Sequence, residues 1–499
     1  MKKMTLKSRL FGGVVAVSAA LLAVSCAQGF DDNERFSGGV TDTQLESPLL
    51  DLSCFATIAN ADGTETVKLT WPVVYGAGGY AVEVADINDE TAPVMLVDTL
   101  IDGLSVSFPK TEDTNYSVRV KTLGNEKLNN TEAVAPTDYL YSTWAPSQTV
   151  PAGSELSAFI AAHLTEPEDL DLGQGFVLEA GAEYTLESDV DFGLYNMVLR
   201  GASPSNRPTV RLVGDAKFVT QAGLKVKYVN FDCTESTAST LLGFSDAPDA
   251  SLSTEALGFK KDGANQNGFV ILKPVIFEEC RVKNLHKSFI YGQKKPWSLK
   301  DFRIVDCIIQ LDNTGDATFL NLSGGGNGLI KEMTIRNSTI YNLVRNSSAY
   351  FIRYSNASNA QPKKIFGNSN NSTTHRIENC TIAKVFSNKD FANSCPNTST
   401  VYQYVTNVVF YDIFRLYKYL DSQNKKYTTD NTIWYNDASQ DSNDLGGRKD
   451  SNGNPFVILE DPGFTEPFAA LDLSQPNGGV HFKANGALSS TIGDPRWLE

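Results

Sequence analysis

Histidine is scarce in this chain, with 4 in 499 residues. His163, His286, His375 and His481 stand far apart, and each reads as a surface or turn residue. No Cys-x-x-Cys pair or Cys/His cluster at metal spacing occurs, which argues against zinc. No Gly-x-Ser-x-Gly elbow is present, so the usual signature of Ser-His-Asp chemistry is missing. Long helical periodicity is nearly absent, which leaves many short strands and turns. Basic excess is lacking too: Lys and Arg number 43 against 58 Asp and Glu, a net charge of −15. Nucleic acid is therefore an unsuitable partner for the molecule as a whole.

One long apolar stretch does exist, at the start. Lys2, Lys3, Lys7 and Arg9 precede an uncharged run from Phe11 to Val24, a secretory signal too short for a good membrane span. It ends at Leu22-Ala23-Val24-Ser25-Cys26, which resembles the lipobox of bacterial lipoproteins, with Ala23 where leucine is commoner. The resemblance implies a signal peptide over 1–25, lipidation of Cys26 and an acylated polar tether over 26–47. The acidic Asp31-Asp32-Asn33-Glu34 that follows resembles the surface-export signal of Bacteroidetes lipoproteins. It implies an outer-membrane location, lipid-anchored, on the extracellular face. No second long apolar segment follows, so acyl chains are the only anchor the sequence offers.

Beyond Pro48, strict alternation sets in. Val67-Lys68-Leu69-Thr70-Trp71, Gly79 to Val84 and Asn115 to Thr122 alternate apolar and polar residues between Gly and Pro punctuation. Period two with such breaks reads as a β-sandwich of half-buried strands. Trp71 and Tyr116, in Thr114-Asn115-Tyr116-Ser117-Val118-Arg119-Val120, resemble the core tryptophan and tyrosine corner of fibronectin type III domains. That resemblance covers 48–150 and assigns both residues a structural role.

From 151 the pattern changes. Ser154 to Leu164 is a short helix with Ser154 as N-cap and Glu155 in its first turn, ended by Pro167 and suited to covering the blunt end of a stack of strands. Further on, five segments align without gaps: Phe277–Lys283, Ile304–Gln310, Ile335–Tyr341, Ile377–Ala383 and Thr428–Trp434. Their third positions are Glu279, Asp306, Asn337, Asn379 and Asp430, their fourth Cys280, Cys307, Ser338, Cys380 and Asn431. The sixth is aliphatic in all: Val282, Ile309, Ile340, Ile382 and Ile433. A weaker copy lies at Asn407-Val408-Val409-Phe410.

Stacked as rungs about 4.8 Å apart, such copies form ladders. The aliphatic positions fill an interior, cysteine packs as a small hydrophobe, and the Asp/Asn position takes a bend. The cysteines of this ladder are expected to stay reduced. Successive copies lie 27, 31, 42 and 51 residues apart, so loops of varying length separate the strands.

The chain here resembles right-handed parallel β-helix proteins of the pectate-lyase-like class. Asp461-Pro462-Gly463-Phe464 and Gly493-Asp494-Pro495-Arg496-Trp497 resemble the closing segment of such carbohydrate-active proteins. The fold class is thus all-β, a fibronectin type III-like sandwich followed by a parallel β-helix over 151–499. Together the parts resemble a Bacteroidetes family of surface lipoproteins associated with polysaccharide utilisation.

Fold does not give function, so the outward residues must. They fall in two rows: Arg281, Ile308, Thr339, Thr381 and Thr432, then Lys283, Gln310, Tyr341, Ala383 and Trp434. Lys283, Gln310, Tyr341 and Trp434 are the candidate ligand-binding residues, since aromatic planes cover sugar faces while Lys and Gln meet hydroxyls or carboxylates. Between Ile271 and Asp390 there are 17 Lys and Arg against 9 Asp and Glu, a local positive excess suited to an acidic glycan; a solvated basic face is the plainer explanation.

Catalysis of uronate β-elimination needs a base and a cation near the carboxylate. Arg281, Lys283 and His286, with Lys287 beside them, are the weak candidates for it. A hydrolase needs two carboxylates, and Asp301 and Asp306 are available without a spacing that singles them out. No metal site is legible; calcium is the one cofactor left open, and no Asp-rich cluster occurs on the outward face. The favoured expectation is a non-catalytic surface protein that binds polysaccharide, uronic-acid-containing glycans included. Two alternatives stand beside it: a polysaccharide lyase or glycoside hydrolase, and an adhesin or structural partner of an outer-membrane uptake complex.

Overall fold

The computed structural model describes residues 40–498 except 61–64, 89–91, 260–266, 326–327, 356–361, 368–371, 396–399, 417–425, 437–451, 454 and 465–467. The signal segment and Cys26 lie outside the described residues. The chain is all-β, in two compact units that divide between Trp144 and Ala145. The strand Ser147–Val150, expected to close the first unit, pairs in parallel with Gln174–Leu178 of the second.

The first unit holds two antiparallel sheets. One contains Phe55–Ala59, Glu65–Thr70 and Ser105–Pro109; the other contains Val94–Ile101, Gly79–Asp86, Asn115–Leu123 and Thr137–Ser142. Alternation explains their common core: Tyr116, Val118 and Val120 point inward from one strand and meet Val67, Leu69, Trp71, Val82 and Val84. The Tyr116 hydroxyl accepts from the Thr111 amide at 2.7 Å, which fixes the chain where it enters that strand. Residues 40–47, expected as a free tether, are docked instead. Leu45 is buried and donates its amide to Thr131, while Asn130 Oδ1 accepts from the Thr43 amide at 3.1 Å.

The second unit is built from parallel strands that pair with their equivalents one turn of chain later. A typical turn runs Val275–Glu278, Arg281–Leu285 and Ser288–Tyr291; the next runs Trp297–Val305, Ile308–Leu311 and Leu320–Leu322. First and second strands merge into an 18-stranded sheet, and third strands form a separate 7-stranded one. Residue pairing carries an interior ladder from Tyr184 through Val210, Phe231, Val282, Ile309, Ile340 and Ile382 to Phe410 and Trp434. All nine side chains are buried, and Ile340 lies between Ile309 and Ile382 as expected.

The bend between first and second strands is where the repeat's acids and amides sit. Glu279, Asp306, Asn337, Asn379, Asn407 and Asn431 all have φ between 45° and 54°. Asn and Asp tolerate this left-handed conformation better than other side chains do. The amides also bond one another up the stack: Asn379 Nδ2 donates to Asn337 Oδ1 at 3.1 Å, Asn407 to Asn379 at 3.1 Å, and Asn431 to Asn407 at 3.0 Å.

That ladder corrects the last copy of the repeat. Asn431, not Asp430, takes the bend, so Thr429 pairs with Val405 and Trp434 with Phe410. The sequence offers two adjacent residues suited to the bend, and the amide ladder selects the second. A slip of one residue exchanges the two faces of a strand, which sends Trp434 inward. The copy at Asn407 is a full rung.

Cys280, Cys307, Ser338 and Cys380 stack beside the bend. Cys280, Cys307 and Cys380 are buried thiols outside any disulfide, and the Cys280 amide donates to Cys307 Sγ at 3.4 Å. The helix at the start of this unit spans Leu156–His163 and is capped by Glu155, which accepts from the Ser157 and Ala158 amides. Ser154, expected as the cap, bonds the Pro151 carbonyl instead. Leu156 and Ile160 bury against the first rungs.

Candidate functional site

The second strands present the row expected to meet a ligand, and the C-terminal segment lies on it. Leu471, Phe482 and Trp497 pack with Ile308, Tyr341 and Ala383 in a second apolar cluster outside the stack, flanked by Phe464, Phe468 and Tyr411. The segment is also bonded down. Thr339 Oγ1 donates to Asp494 Oδ2 at 2.7 Å and accepts from Trp497 Nε1 at 2.7 Å. Arg496 pairs with Asp494 at 2.8 Å and donates to the carbonyls of Asp306, Cys307 and Asn337 beside the bend. Burial pushes the Asp494 carboxyl above its ordinary range despite Arg496.

Three of the four candidate ligand-binding residues are therefore inaccessible. Gln310 is fully buried, accepting from the amides of Asn284 and Leu471 at 3.0 and 3.3 Å. Tyr341 is fully buried, its hydroxyl donating to the Ala469 carbonyl at 2.6 Å; burial pushes its pKa up. Trp434 faces the interior. Only Lys283 stays half-exposed, 3.6 Å from Asp232. For Gln310 and Tyr341 the reason is physical: outward from a sheet means outward from the molecule only where nothing packs on that sheet. The signal was present in Phe464, Phe468, Leu471, Phe482 and Trp497, a run of large apolar residues in an otherwise polar tail.

The weak catalytic candidates do not form a constellation. Arg281 Nη1 donates to the Gln475 carbonyl at 3.2 Å, Lys283 faces Asp232, and His286 lies between Asp312 and the Thr234 carbonyl. Asp306 sits at the bend, away from Asp301. His375 is fully buried, paired in register with Met333 and Gln403 on the neighbouring rungs, its Nε2 3.1 Å from the Ile330 carbonyl, a correction to its reading as a surface or turn residue. His163 stacks on Phe159 and His481 packs against Trp497. Among the described residues no group of three or more His, Cys, Asp or Glu converges as metal ligands would.

The first strands present a different face. Pairing aligns Arg303, Thr334, Arg376, Tyr404 and Thr428 in one outward row, and Asp301, Glu332, Thr374 and Tyr402 in the next. All nine remain partly or fully exposed. The Arg376 guanidinium lies over the Tyr404 ring at 4.3 Å, a cation–π contact that holds both side chains on the surface. Arg303 holds Asp301 with Nε at 3.1 Å from Oδ1. Burial, partly offset by Lys331, keeps the neighbouring Glu332 carboxyl above its usual range. Apart from Asp301, named only as an available carboxylate, these side chains were not singled out from sequence, because they precede the bend and their columns vary in residue type.

Comparison with known families adds boundaries rather than chemistry. A family model described as a domain of unknown function, DUF4992, matches residues 1–185. A second, described as Domain of unknown function (DUF4957), matches residues 182–343. No curated protein matches the chain.

Proposed function

We propose that this chain is a bacterial cell-surface lipoprotein that binds polysaccharide along the open face of its parallel strands. In this reading Cys26 carries the acyl anchor and the first unit is a fibronectin type III-like spacer. The second unit is a right-handed parallel β-helix. The ladders of Ile340 and Asn407, the buried Trp71 and the Tyr116 hydroxyl contact support those assignments. Among the described residues no helix is long and apolar enough to cross a membrane.

The observation that carries the binding role is the partly exposed row of Arg303, Thr334, Arg376, Tyr404 and Thr428. Its rungs repeat at about 4.8 Å, close to the length of one sugar residue. An extended glycan lying along it meets a tyrosine face, guanidinium donors and threonine hydroxyls in turn. Affinity electrophoresis against a panel of neutral and acidic polysaccharides tests this. Retardation of the parent, reduced at least severalfold in Tyr404→Ala and Arg376→Ala, is expected; equal mobility of all three in every gel contradicts it.

One observation favours hydrolysis as a second reading. Asp301 and Glu332 are paired on adjacent rungs; Arg303 bonds the first, and burial raises the carboxyl of the second, as a glycosidase acid beside a second carboxyl group requires. Release of reducing ends by the parent and its loss in Glu332→Gln would establish that activity.

A further inference from the structure

The bend of the stack gathers positive charge on the other side of the strands. Arg207 Nε donates to the Glu279 carbonyl at 2.9 Å and its Nη2 lies 3.1 Å from Glu279 Oε2. Arg496 donates to the Asp306 carbonyl one rung on and pairs with Asp494. Arg281 follows Glu279 by two residues and is affected by both. Burial first, then Arg207 and Arg496, lowers its pKa to about 10, which leaves it fully charged at neutral pH.

Each neighbouring cation has an acid: Glu279 for Arg207, Asp494 for Arg496, and Asp232 with Asp472 nearby for Lys283. Among the described residues no carboxylate pairs with Arg281. Its one polar partner among those residues is the Gln475 carbonyl at the edge of the C-terminal segment, and its side chain remains partly exposed.

A second feature lies directly beside it. Asn230 is the register partner of Arg281 on the preceding rung and is 2% exposed, yet its Oδ1 accepts no hydrogen bond from any of the described residues. An unmet buried acceptor costs about 1–3 kcal/mol, so such a group marks a place where a donor is wanted. A guanidinium without a counter-ion wants an acceptor with negative charge. One ligand satisfies both.

We propose that Arg281 and Asn230 form a binding site for a sugar-borne oxyanion, a carboxylate or a sulfate ester. The guanidinium takes the anion in its two-pronged fork, and Asn230 Oδ1, closed to solvent in this structure, accepts from a neighbouring sugar hydroxyl or a bridging water once Arg281 shifts onto the anion. Arg207 and Arg496 add a field that favours negative charge without spending their own pairs. The site rests on the polysaccharide reading and narrows it to acidic glycans, at a place distinct from the Tyr404 row.

Two probes separate the site from that reading. Inorganic sulfate needs no glycan: it is expected to raise the melting temperature of the full mature chain above that in chloride of equal ionic strength. Arg281→Gln is expected to reduce the difference to the general stabilisation that sulfate gives any fold by exclusion from its surface, while Arg281→Lys, which keeps the charge but loses the fork, retains part of the excess and serves as the folding control. In affinity electrophoresis, Arg281→Gln and Asn230→Ala are expected to weaken binding of polygalacturonate or of a sulfated glycan by about tenfold or more for the guanidinium. Binding of a neutral glucan should not change. Whichever of the two acidic arms responds identifies the oxyanion. Should the excess sulfate stabilisation depend on Arg281 while no polysaccharide binds, the anion site stands and the polysaccharide reading falls. Should Arg281→Gln respond to sulfate and bind acidic glycans like the parent, the site is overturned, whatever Tyr404→Ala does.

Discussion

The first and second strands of each turn come from the same repeat, yet their outer faces have opposite fates. The second-strand face carries Ile308, Thr339, Tyr341, Thr381 and Ala383 and is sealed by the C-terminal segment, with Tyr341 fully buried. The first-strand face carries Arg303, Arg376, Tyr402 and Tyr404 and stays open. A tyrosine is therefore packed away on one face and left partly exposed on the other. What distinguishes them is the company: hydroxyls and small apolar residues that a strap can dock on, against guanidiniums that need water or a ligand.

Substitutions that respect or ignore this division should differ in size. The largest effect is expected in the interior, which both faces share. Ile340→Asp places an unpaired carboxylate between Ile309 and Ile382, costing about 4 kcal/mol or more, read as a large fall in the denaturation midpoint or loss of folded protein. Next comes the sealed face. Trp497→Ala removes a buried ring and its hydrogen bond to Thr339 and is expected to cost about 3 kcal/mol. Limited proteolysis should then cut within 461–498 before the rest of the unit unfolds; an unchanged cleavage pattern would show that the strap is held by other means.

A smaller loss, about 1–2 kcal/mol, is expected for Thr339→Val, which leaves Asp494 Oδ2 and Trp497 Nε1 each short of a partner. On the open face, Tyr404→Ala should shift stability by no more than about 0.5 kcal/mol while weakening glycan binding. Thermal melts and electrophoresis on the same sample separate the two quantities, and a destabilisation as large as that of Trp497→Ala would erase the contrast.

The smallest effect concerns pH at the covered end of the stack. Burial raises the Glu155 carboxyl, but bonds from Ser157, Glu187 and Ala158 outweigh it and hold the group below 4.5. A carboxyl lowered in the folded state stabilises above its unfolded pKa and loses that contribution as pH falls through the folded one. Parent and Glu155→Gln should thus differ most near neutrality and converge in acid, in melting temperature.

Much of the second unit was legible because its signal repeats. Ile309, Ile340 and Ile382 could be aligned by eye, and Asp306, Asn337 and Asn379 marked the bend. The final copy failed where Asp430 and Asn431 were equally good bend residues and only the contact with Asn407 chooses between them. The earlier rung at Val226 and Phe231 escaped because Tyr228, with φ of 59°, holds its bend in place of an acid or amide. The site failed for a different reason. Tyr341 and Gln310 do point out of their strand, but the segment that buries them lies 128 and 161 residues further on, and no local pattern encodes that return. The Arg281–Asn230 pair is likewise invisible to spacing, since 50 residues of loop and strand separate partners that pairing makes adjacent.

Hydroxyl-radical footprinting of the tyrosines, with and without a bound polysaccharide, tests the contrast between the two faces most directly. Tyr341 should resist labelling in both states, while Tyr404 should be labelled in the free protein and protected when glycan is bound. Labelling of Tyr341 in the free protein, with glycan protecting it and leaving Tyr404 unchanged, would contradict the account.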